Sequence, residues 1–443
     1  MIIEIPLLYL LLPLILLAWL AWRNLPSAVA AIVLLAPSYL IKSSIGIIPT
    51  TFLELVIYIT MLVCLIKYFT KISAEDSFKL LLNKLRPLSL IIACWLLAAS
   101  IAVVVSPDLR LSLGVLKGWF IDPVIFLGLL VSAIKTPKDW LKVLTAFWSS
   151  ASLLAAYGLI EYGFGWGLQS DNLLNSVYQP ANYLAMYLVP AIFVGAALIR
   201  SSWPSYFSKL NLLILVIDLW ALYLTKSYGG FLALVLGAAV FIWFALSSQV
   251  KLRRRIFLCF LVVIVVGGFV IAQQPKFQKL LTRDPRSSLT TRQEIWQTAW
   301  ILIKEQPVVG WGLGNFQESY RSHVKYITLT PLEWQVVRAH NLYLNLWIEV
   351  GLLGLLVFIY LVIKYLWQLV PDLKSNVLGR RLWASALVAI IVATLIHGLV
   401  DTPYFKNDLS LVFFLVIGAG LLFRYYSSWS LEMHIDRGLT KDT

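Results

Sequence analysis

The sequence predicts an all-α protein: a polytopic transmembrane helical bundle of about 12–13 spans with one long extracytoplasmic loop that contains amphipathic helices. Three observations predict this class. Hydrophobic residues make up 60% of the 443-residue chain and charged residues only 13%. Apolar stretches of roughly twenty residues, the length that crosses a bilayer, recur along the whole chain. Lys and Arg fall in the short connections, unlike the one-sided basic patch of a nucleic-acid-binding protein.

Thirteen apolar stretches are predicted membrane spans, and the second and eighth are the shortest. The first begins at Ile5 and ends at Trp22. It has no basic segment before its apolar core, and this core is too long for a signal peptide, so we expect a retained helix. The spans are predicted at 5–22, 28–41, 51–66, 88–105, 118–134, 143–161, 180–199, 211–224, 229–246, 256–272, 342–363, 383–400 and 409–423.

The basic residues orient the bundle and explain its net charge of +14. If the cluster Lys251–Arg255 lies in the cytoplasm, the cytoplasmic connections and the tail hold 22 Lys and Arg, whereas the short outer connections hold 5. The other 9 lie in one long connection, to which the positive-inside rule does not apply. We therefore expect an N-terminal transmembrane bundle over 1–272, an extracytoplasmic loop over 273–341, C-terminal transmembrane helices over 342–423 and a cytoplasmic tail over 424–443.

The long connection contains a helix signal in "TRQEIWQTAWILIKEQP". Thr291 and Glu294 have the spacing of a capping box, and Pro307 marks the end of about four helical turns. We expect this helix to lie against the membrane surface with its tryptophans at the headgroup level. Its apolar face consists of Ile295, Trp296, Ala299, Trp300 and Ile303.

Three glycines follow this helix in "GWGLGNF". Gly310, Gly312 and Gly314 lack the preceding strand, the following helix and the lysine that define a phosphate-binding loop. They are therefore predicted to form tight turns.

His340 opens the apolar run that follows the long loop, so it is predicted to lie at the outer membrane face. Asn341, Asn345 and Glu349 continue from it at four-residue intervals, within about 80° of one another on a helix. Polar groups at this depth face the bundle interior or a wet cavity. Glu349 would lie on the order of 13 Å below His340, which favours a structural or network role. His397 and Asp401, four residues apart, are predicted to pair on one helix face as structural support.

The order and spacing of these motifs resemble the C-terminal half of the O-antigen ligase and polymerase family. The motifs are "RQEIW", "PVVGWGLGNF", "AHNLYLNLWIEVGLLGLL" and "HGLVDTPYFKNDLSLVFF", and the resemblance covers roughly residues 220–423. In the N-terminal half only pieces such as "LKGWFIDP" and "QPANYLAMYL" are similar. This family consists of GT-C membrane glycosyltransferases of the bacterial cytoplasmic membrane that use polyprenyl-diphosphate-linked glycans. The resemblance implies such a donor, a glycan, lipid or protein acceptor, and an active site that faces the extracytoplasmic side.

The resemblance also implies roles for individual residues. Arg292, which opens the loop helix, would bind the diphosphate, and His340 would be the base. A second family arginine stands in an "SRGG"-like turn, but this chain has "TKSYGG", which puts Tyr228 at that place. The second phosphate contact is then open among the cations Lys226, Arg338 and Arg321.

The chemistry of such a transfer requires a base more than an acid. A diphosphate leaves as a stabilised anion once its charge is matched, whereas an acceptor hydroxyl is a poor nucleophile. Histidine, with an ordinary pKa of ~6.5, suits the removal of its proton. At the first turn of a helix the helix dipole, together with nearby Arg338, would favour the neutral form of His340. No Asp-x-Asp motif occurs in the chain, so we expect no cofactor and no metal site.

Two classes of function stay open at this point. The first is the glycosyltransferase, either a ligase or a polymerase. The second is a solute transporter, since distant relatives of this family have been linked to bicarbonate uptake. The long loop with its arginines and histidine favours the enzyme, because transporters keep their polar groups near the membrane midplane in broken helices.

Overall fold

The computed structural model describes residues 3–70, 74–166, 172–200, 205–246, 250–273 and 288–426. Within these ranges the chain is mostly helical, and nine described helices are long and apolar enough to cross a membrane. The all-α polytopic class predicted from the sequence is therefore confirmed. Of the predicted tail over 424–443, the residues after Tyr426 lie outside the described ranges.

Sixteen α-helices lie within the described residues, and one small sheet interrupts them. The helices are α1 (Leu7–Arg23), α2 (Leu25–Leu34), α3 (Phe52–Phe69), α4 (Ala74–Val104), α5 (Leu109–Leu116), α6 (Asp122–Ala133), α7 (Pro137–Phe164), α8 (Asn182–Arg200), α9 (Ser205–Leu224), α10 (Tyr228–Ala245), α11 (Val250–Ala272), α12 (Ser288–Glu305), α13 (Phe316–His323), α14 (Leu342–Leu373), α15 (Leu378–His397) and α16 (Asn407–Tyr425). The strands are β1 (Ile3–Glu4), β2 (Ile41–Ile45) and β3 (Ile48–Thr51).

The second predicted span, over 28–41, is shorter in the structure than the other spans. α2 has 10 residues and is followed by a 3-10 turn over Ala36–Leu40, after which β2 begins at Ile41. β2 and β3 form an antiparallel hairpin, and β1 pairs with β2 in parallel. Lys42, Ser43 and Ser44, which follow the predicted span, place polar groups in β2. The sheet closes one end of the bundle, where it lines a cavity together with Trp119.

α14 is broken at Gly351, and the long loop is anchored at this break. Gly351 has a φ of 69°, a conformation that residues with a Cβ rarely adopt. Across the break, the amide of Leu352 donates to the carbonyl of Val308 at 2.9 Å. On the other side, the amide of Trp311 donates to the carbonyl of Ile348 at 2.7 Å. The backbone groups freed by the break are thus satisfied by the loop and not by the helix.

The loop glycines adopt turn conformations, as predicted. Gly310, Gly312 and Gly314 have φ values of 73°, 87° and 76°. A Cβ on Gly312 would lie 2.7 Å from the Cα of Ser106, so only glycine permits this approach to the end of α4. The contact lets the Ser112 hydroxyl donate to the carbonyl of Leu313 at 2.6 Å. The loop is thereby fixed to α5 as well as to α14.

The described part of the long loop has a small core of its own, and the predicted capping box of α12 is wrong. Ile295, Ala299 and Ile303 of its apolar face are buried in this core, whereas Trp300 is 47% exposed. The Trp296 indole donates to the carbonyl of Ala339 at 3.0 Å. Thr291 lies inside α12 and does not cap it, whereas Glu294 accepts from the Tyr320 hydroxyl at 3.0 Å. This core consists of Ile295, Ala299, Leu302, Ile303, Phe316, Tyr320, Val324, Val336, Ala339 and Ile348.

The charge distribution and the fold together predict which sites an impermeant thiol reagent reaches. Ser288, at the start of α12, is exposed, and so is Asn376, in the turn between α14 and α15 at the other end of the bundle. In a background without Cys64, Cys94 and Cys259, Ser288→Cys should react in intact cells and Asn376→Cys only after lysis. The reverse pattern of labelling would overturn the orientation.

Candidate functional site

The Asp401 carboxylate joins three distant parts of the chain at one end of the bundle. It lies in the connection between α15 and α16 and is 3% exposed. Its Oδ2 atom accepts a hydrogen bond from Asn182 at 2.9 Å and lies 3.8 Å from the Arg292 guanidinium. Its Oδ1 atom lies 3.4 Å from Nδ1 of His340, within ion-pair distance but outside hydrogen-bond geometry. The fold therefore brings Arg292 and His340, both predicted site residues, to the same carboxylate.

Electrostatics keep Asp401 ionised. Burial raises the pKa of its carboxyl group, but the neighbouring His340, Arg292 and His397 outweigh burial and hold this pKa well below its ordinary value. A buried, ionised carboxylate of this kind orients and stabilises the positive groups around it. Asp401 is thus a fixed negative charge at the centre of the site.

His340 is held in a strained backbone conformation. Its φ is 46°, in the left-handed region, and it precedes the N-cap of α14, Asn341. The prediction that it lies in the first helical turn is therefore wrong by two residues. Hydrogen bonds fix the chain on both sides: Ala339 N donates to the Asn345 side chain at 3.1 Å, and Leu342 N donates to the Gly398 carbonyl at 2.7 Å. Strain of this kind, imposed by surrounding contacts, is common at functional sites.

His397 does not pair with Asp401 as the sequence predicted. α15 ends at His397, so Asp401 is not on its helix face, and the Asp401 amide donates to the His397 carbonyl at 3.0 Å. The His397 ring is 2% exposed, and its Cδ2 atom lies 3.0 Å from where a Cβ of Gly229 would be. Among the described residues its Nε2 atom has no hydrogen-bond partner. The ring therefore packs the start of α10 against the site.

Arg338 and Glu349 form a buried ion pair below the site. The Arg338 guanidinium donates to Glu349 Oε1 at 2.6 Å and stacks 4.3 Å from the ring centre of Trp119. Glu349, which is 0% exposed, also accepts from Asn345 at 3.1 Å and from the amide of Gly314 at 3.1 Å. The charge of Arg338 is therefore already matched by Glu349. This geometry does not support its predicted contact with a diphosphate.

The other predicted residues lie at varying positions around this centre. Lys226 has a φ of 49° in the turn before α10, and Tyr228 is the first residue of that helix, beside the glycine that contacts His397. Asn341 caps α14 and donates to the Leu399 carbonyl at 3.0 Å. Arg321 lies on α13, and its Nε donates to the Trp334 carbonyl at 3.2 Å. In the described structure no contact joins Arg321 to Asp401.

Two site residues escaped the sequence analysis. Asn182 lies in "QPANYLAMYL" and contacts Asp401. Like Asn341, it stands at the start of a span, and this position could have indicated a role at the site. Lys406 was visible only as one of the few outer cations. Its ammonium lies 3.4 Å from the ring centre of Tyr183, and Tyr178 and Tyr39 flank it at 5.1 and 5.7 Å. Burial lowers the pKa of Lys406 to about 8.

A cavity of about 1000 Å³ lies beside the Arg338–Glu349 pair. Trp119, whose ring stacks on Arg338, forms one wall, and its indole donates to Asn407 at 3.1 Å. The opposite walls come from β2 and β3 and from α5. Hydroxyl, amide and charged side chains line much of it: Ser43, Ser44, Thr50, Thr51, Glu54, Asp108, Arg110, Lys117 and Asn407.

These features define a polytopic membrane protein with a charged site at the ends of its spans, built by a loop that docks into a broken helix. Residues 213–359 match the family model described as O-antigen ligase. The similarity to the O-antigen ligase family that the motifs predicted is confirmed over these residues. The matched region contains Arg292 and His340, whereas Asp401 lies beyond it.

Individual relatives are similar at low identity. Over 277 residues the chain is 26% identical to an O-antigen ligase of Salmonella typhimurium, which covers 59% of this chain and 65% of that protein. Over 264 residues it is 25% identical to a protein of Rickettsia conorii named as a candidate polysaccharide ligase, covering 56% and 60%. Over 221 residues it is 23% identical to an uncharacterized protein of Haemophilus influenzae, covering 46% and 51%. The chain thus spans about half to two thirds of these relatives.

The buried ion pair predicts a stability effect. Glu349→Ala would leave the Arg338 guanidinium buried without its partner, at a cost of about 3–5 kcal/mol, and would free the amide of Gly314. The apparent melting temperature of the purified protein should fall by several degrees, whereas Glu318→Ala, at an exposed position of the same loop, should leave it unchanged. An equal melting temperature for Glu349→Ala would contradict this assignment.

Proposed function

We propose that the protein is a glycosyltransferase of the O-antigen ligase type, which moves a glycan from a polyprenyl diphosphate carrier to an acceptor hydroxyl. The observation that carries the proposal is the convergence of Arg292 and His340 on the Asp401 carboxylate at the ends of the spans. The family match and the ligase names of two relatives support this reaction class. A lipid carrier in the bilayer would bring its diphosphate to this level.

In the proposed reaction His340 is the general base. Nδ1 faces Asp401, so Nε2 is the nitrogen available to an acceptor hydroxyl, and the side chain is 29% exposed. Nε2 takes the hydroxyl proton while the acceptor oxygen bonds to the anomeric carbon. The bond from that carbon to the diphosphate oxygen breaks, and the carrier diphosphate leaves with the electron pair. The ionised Asp401 then stabilises the imidazolium.

Cationic side chains would stabilise the leaving diphosphate. Arg292 has the forked geometry that suits phosphate oxygens, and its guanidinium is 3.8 Å from Asp401, too long for a tight pair. Lys406 is partly buried among tyrosines, and no described carboxylate lies within ion-pair distance of it. A bound anion would compensate its burial. Lys406 and Lys226 are therefore the proposed second contacts in place of the arginine missing at Tyr228.

The cavity beside Trp119 is the proposed site of the acceptor glycan. Sugars are recognised by hydroxyl, amide and carboxylate groups together with an aromatic face, and the cavity wall offers all of these. We place this end of the bundle on the extracytoplasmic side of the bacterial cytoplasmic membrane, because the basic connections lie at the other end. The transporter alternative is not supported, since the charged groups cluster at span ends and not at midplane.

The role of His340 predicts a specific loss of activity. His340→Ala should lower transfer by ~10²-fold or more, whereas His323→Ala, the other histidine of the described loop, should stay near wild type. The pKa of Asp401 is held below its ordinary value, so this carboxylate stays ionised under mildly acidic conditions and can stabilise an imidazolium there. Near-normal transfer by His340→Ala at equal protein level would exclude it as the base.

The proposed charge compensation by cations predicts metal-independent transfer. With Arg292, Lys406 and Lys226 to match the departing diphosphate, no divalent ion is required. Purified protein supplied with a lipid-linked donor and an acceptor should keep its rate in excess EDTA. Loss of the rate, with recovery on addition of Mg²⁺ or Mn²⁺, would show that the cations alone do not suffice.

A further inference from the structure

A second, basic cavity lies at the opposite end of the bundle from His340. Its volume is about 770 Å³, and the ends of α1, α3 and α6 and the start of α4 bound it. Four cationic side chains line it: Arg23, Lys67, Lys84 and Lys135. The described lining includes one carboxylate, Asp139, so the cavity carries an excess of positive charge.

Asp139 does not neutralise these cations, because it is engaged at the start of α7. It forms a capping box with Thr136, whose hydroxyl and amide donate to its Oδ2 atom at 2.8 and 3.2 Å. In the described structure no salt bridge joins Asp139 to a lysine or arginine of the cavity. The positive charge therefore faces the cavity.

Lys84 is the most deeply buried of the four cations, at 2% exposure. Its ammonium donates to the carbonyls of Val131 and Ile134, at 3.3 and 3.4 Å, and lies 4.9 and 5.6 Å from the ring centres of Tyr426 and Tyr425. Both bonds are long for a charged donor. A cation buried between spans is costly unless an anion compensates it. Among the described residues no carboxylate forms a salt bridge with Lys84, and the phosphate of a bound lipid would supply an anion at this position.

The cavity is open to the apolar surface on one side. Leu65 and Phe69 of α3 line it and are 43% and 76% exposed, which is the orientation of lipid-facing residues. α3 and α6 end at this level, so the cations lie where phospholipid headgroups would be. Basic pockets between spans are known recognition sites for phosphate-bearing headgroups.

We propose that this cavity binds the phosphate group of an anionic membrane phospholipid, with the acyl chains along α3. The phosphate would contact Lys84, Lys67 and Lys135 together. The site is independent of the transfer reaction proposed above and lies at the other end of the same helices.

Lipid retention tests the proposal directly. The full-length protein is purified in detergent, incubated with equal amounts of phosphatidylglycerol and phosphatidylcholine, and examined by native mass spectrometry. The wild type should retain phosphatidylglycerol preferentially, and Lys135→Gln should lower that retention about fivefold, as expected for about 1 kcal/mol per basic residue. Lys135 is exposed, so its replacement should not disturb folding, and Lys84→Met should give a larger loss.

Lys138→Gln is the matched control. Lys138 is exposed, lies on α7 at the same end of the bundle and does not line the cavity, so the variant should retain as much phosphatidylglycerol as the wild type. An equal loss in this control, or no preference for phosphatidylglycerol over phosphatidylcholine in the wild type, would overturn the proposal. If inorganic phosphate raised the melting temperature as much as the lipid did, and lost that effect in Lys135→Gln, the source would be free phosphate and the lipid assignment would be wrong.

Discussion

The contact on which the site depends is the buried charge of Asp401. A carboxylate that is 3% exposed at the end of a membrane bundle is unfavourable unless positive or donor groups surround it. Asn182 of α8, Arg292 of α12 and His340 before α14 supply these groups. The same contacts that compensate the charge bring a guanidinium and an imidazole to one point. The need to compensate the buried charge of Asp401 therefore both stabilises the fold and determines which side chains meet at the site.

The break in α14 supports this arrangement from below. At Gly351 the helix gives up its own hydrogen bonds, and the loop backbone at Val308 replaces them. Two residues before this break, Glu349 binds both Arg338 and the amide of Gly314. The loop is thus anchored at two points along α14. Such anchoring keeps the His340 backbone at its strained φ of 46°, because release of the strain would require these contacts to break.

The sequence predicted the helical class, the loop helix and its end before Pro307, and the glycine turns, because these depend on local pattern and hydropathy. It did not predict the hairpin of β2 and β3 that follows the apolar stretch 28–41, because hydropathy does not indicate how strands pair. The sequence also did not predict which side chains pair with the buried charged groups. Which groups contact Asp401 is decided by packing between elements far apart in the chain, so Asn182 was missed. The environment of Lys406 and the pairing of Arg338 with Glu349 were not predicted either.

The central claim, that Asp401 acts on catalysis through His340, is tested most directly by a double-mutant cycle in a transfer assay. Asp401→Asn keeps the size of the side chain and removes its charge, and His340→Ala removes the base. If the carboxylate works through the imidazole, the double variant should be no slower than His340→Ala alone, because nothing is left for Asp401 to orient. If the two losses in kcat/KM multiply, Asp401 acts independently of His340, and the account is contradicted.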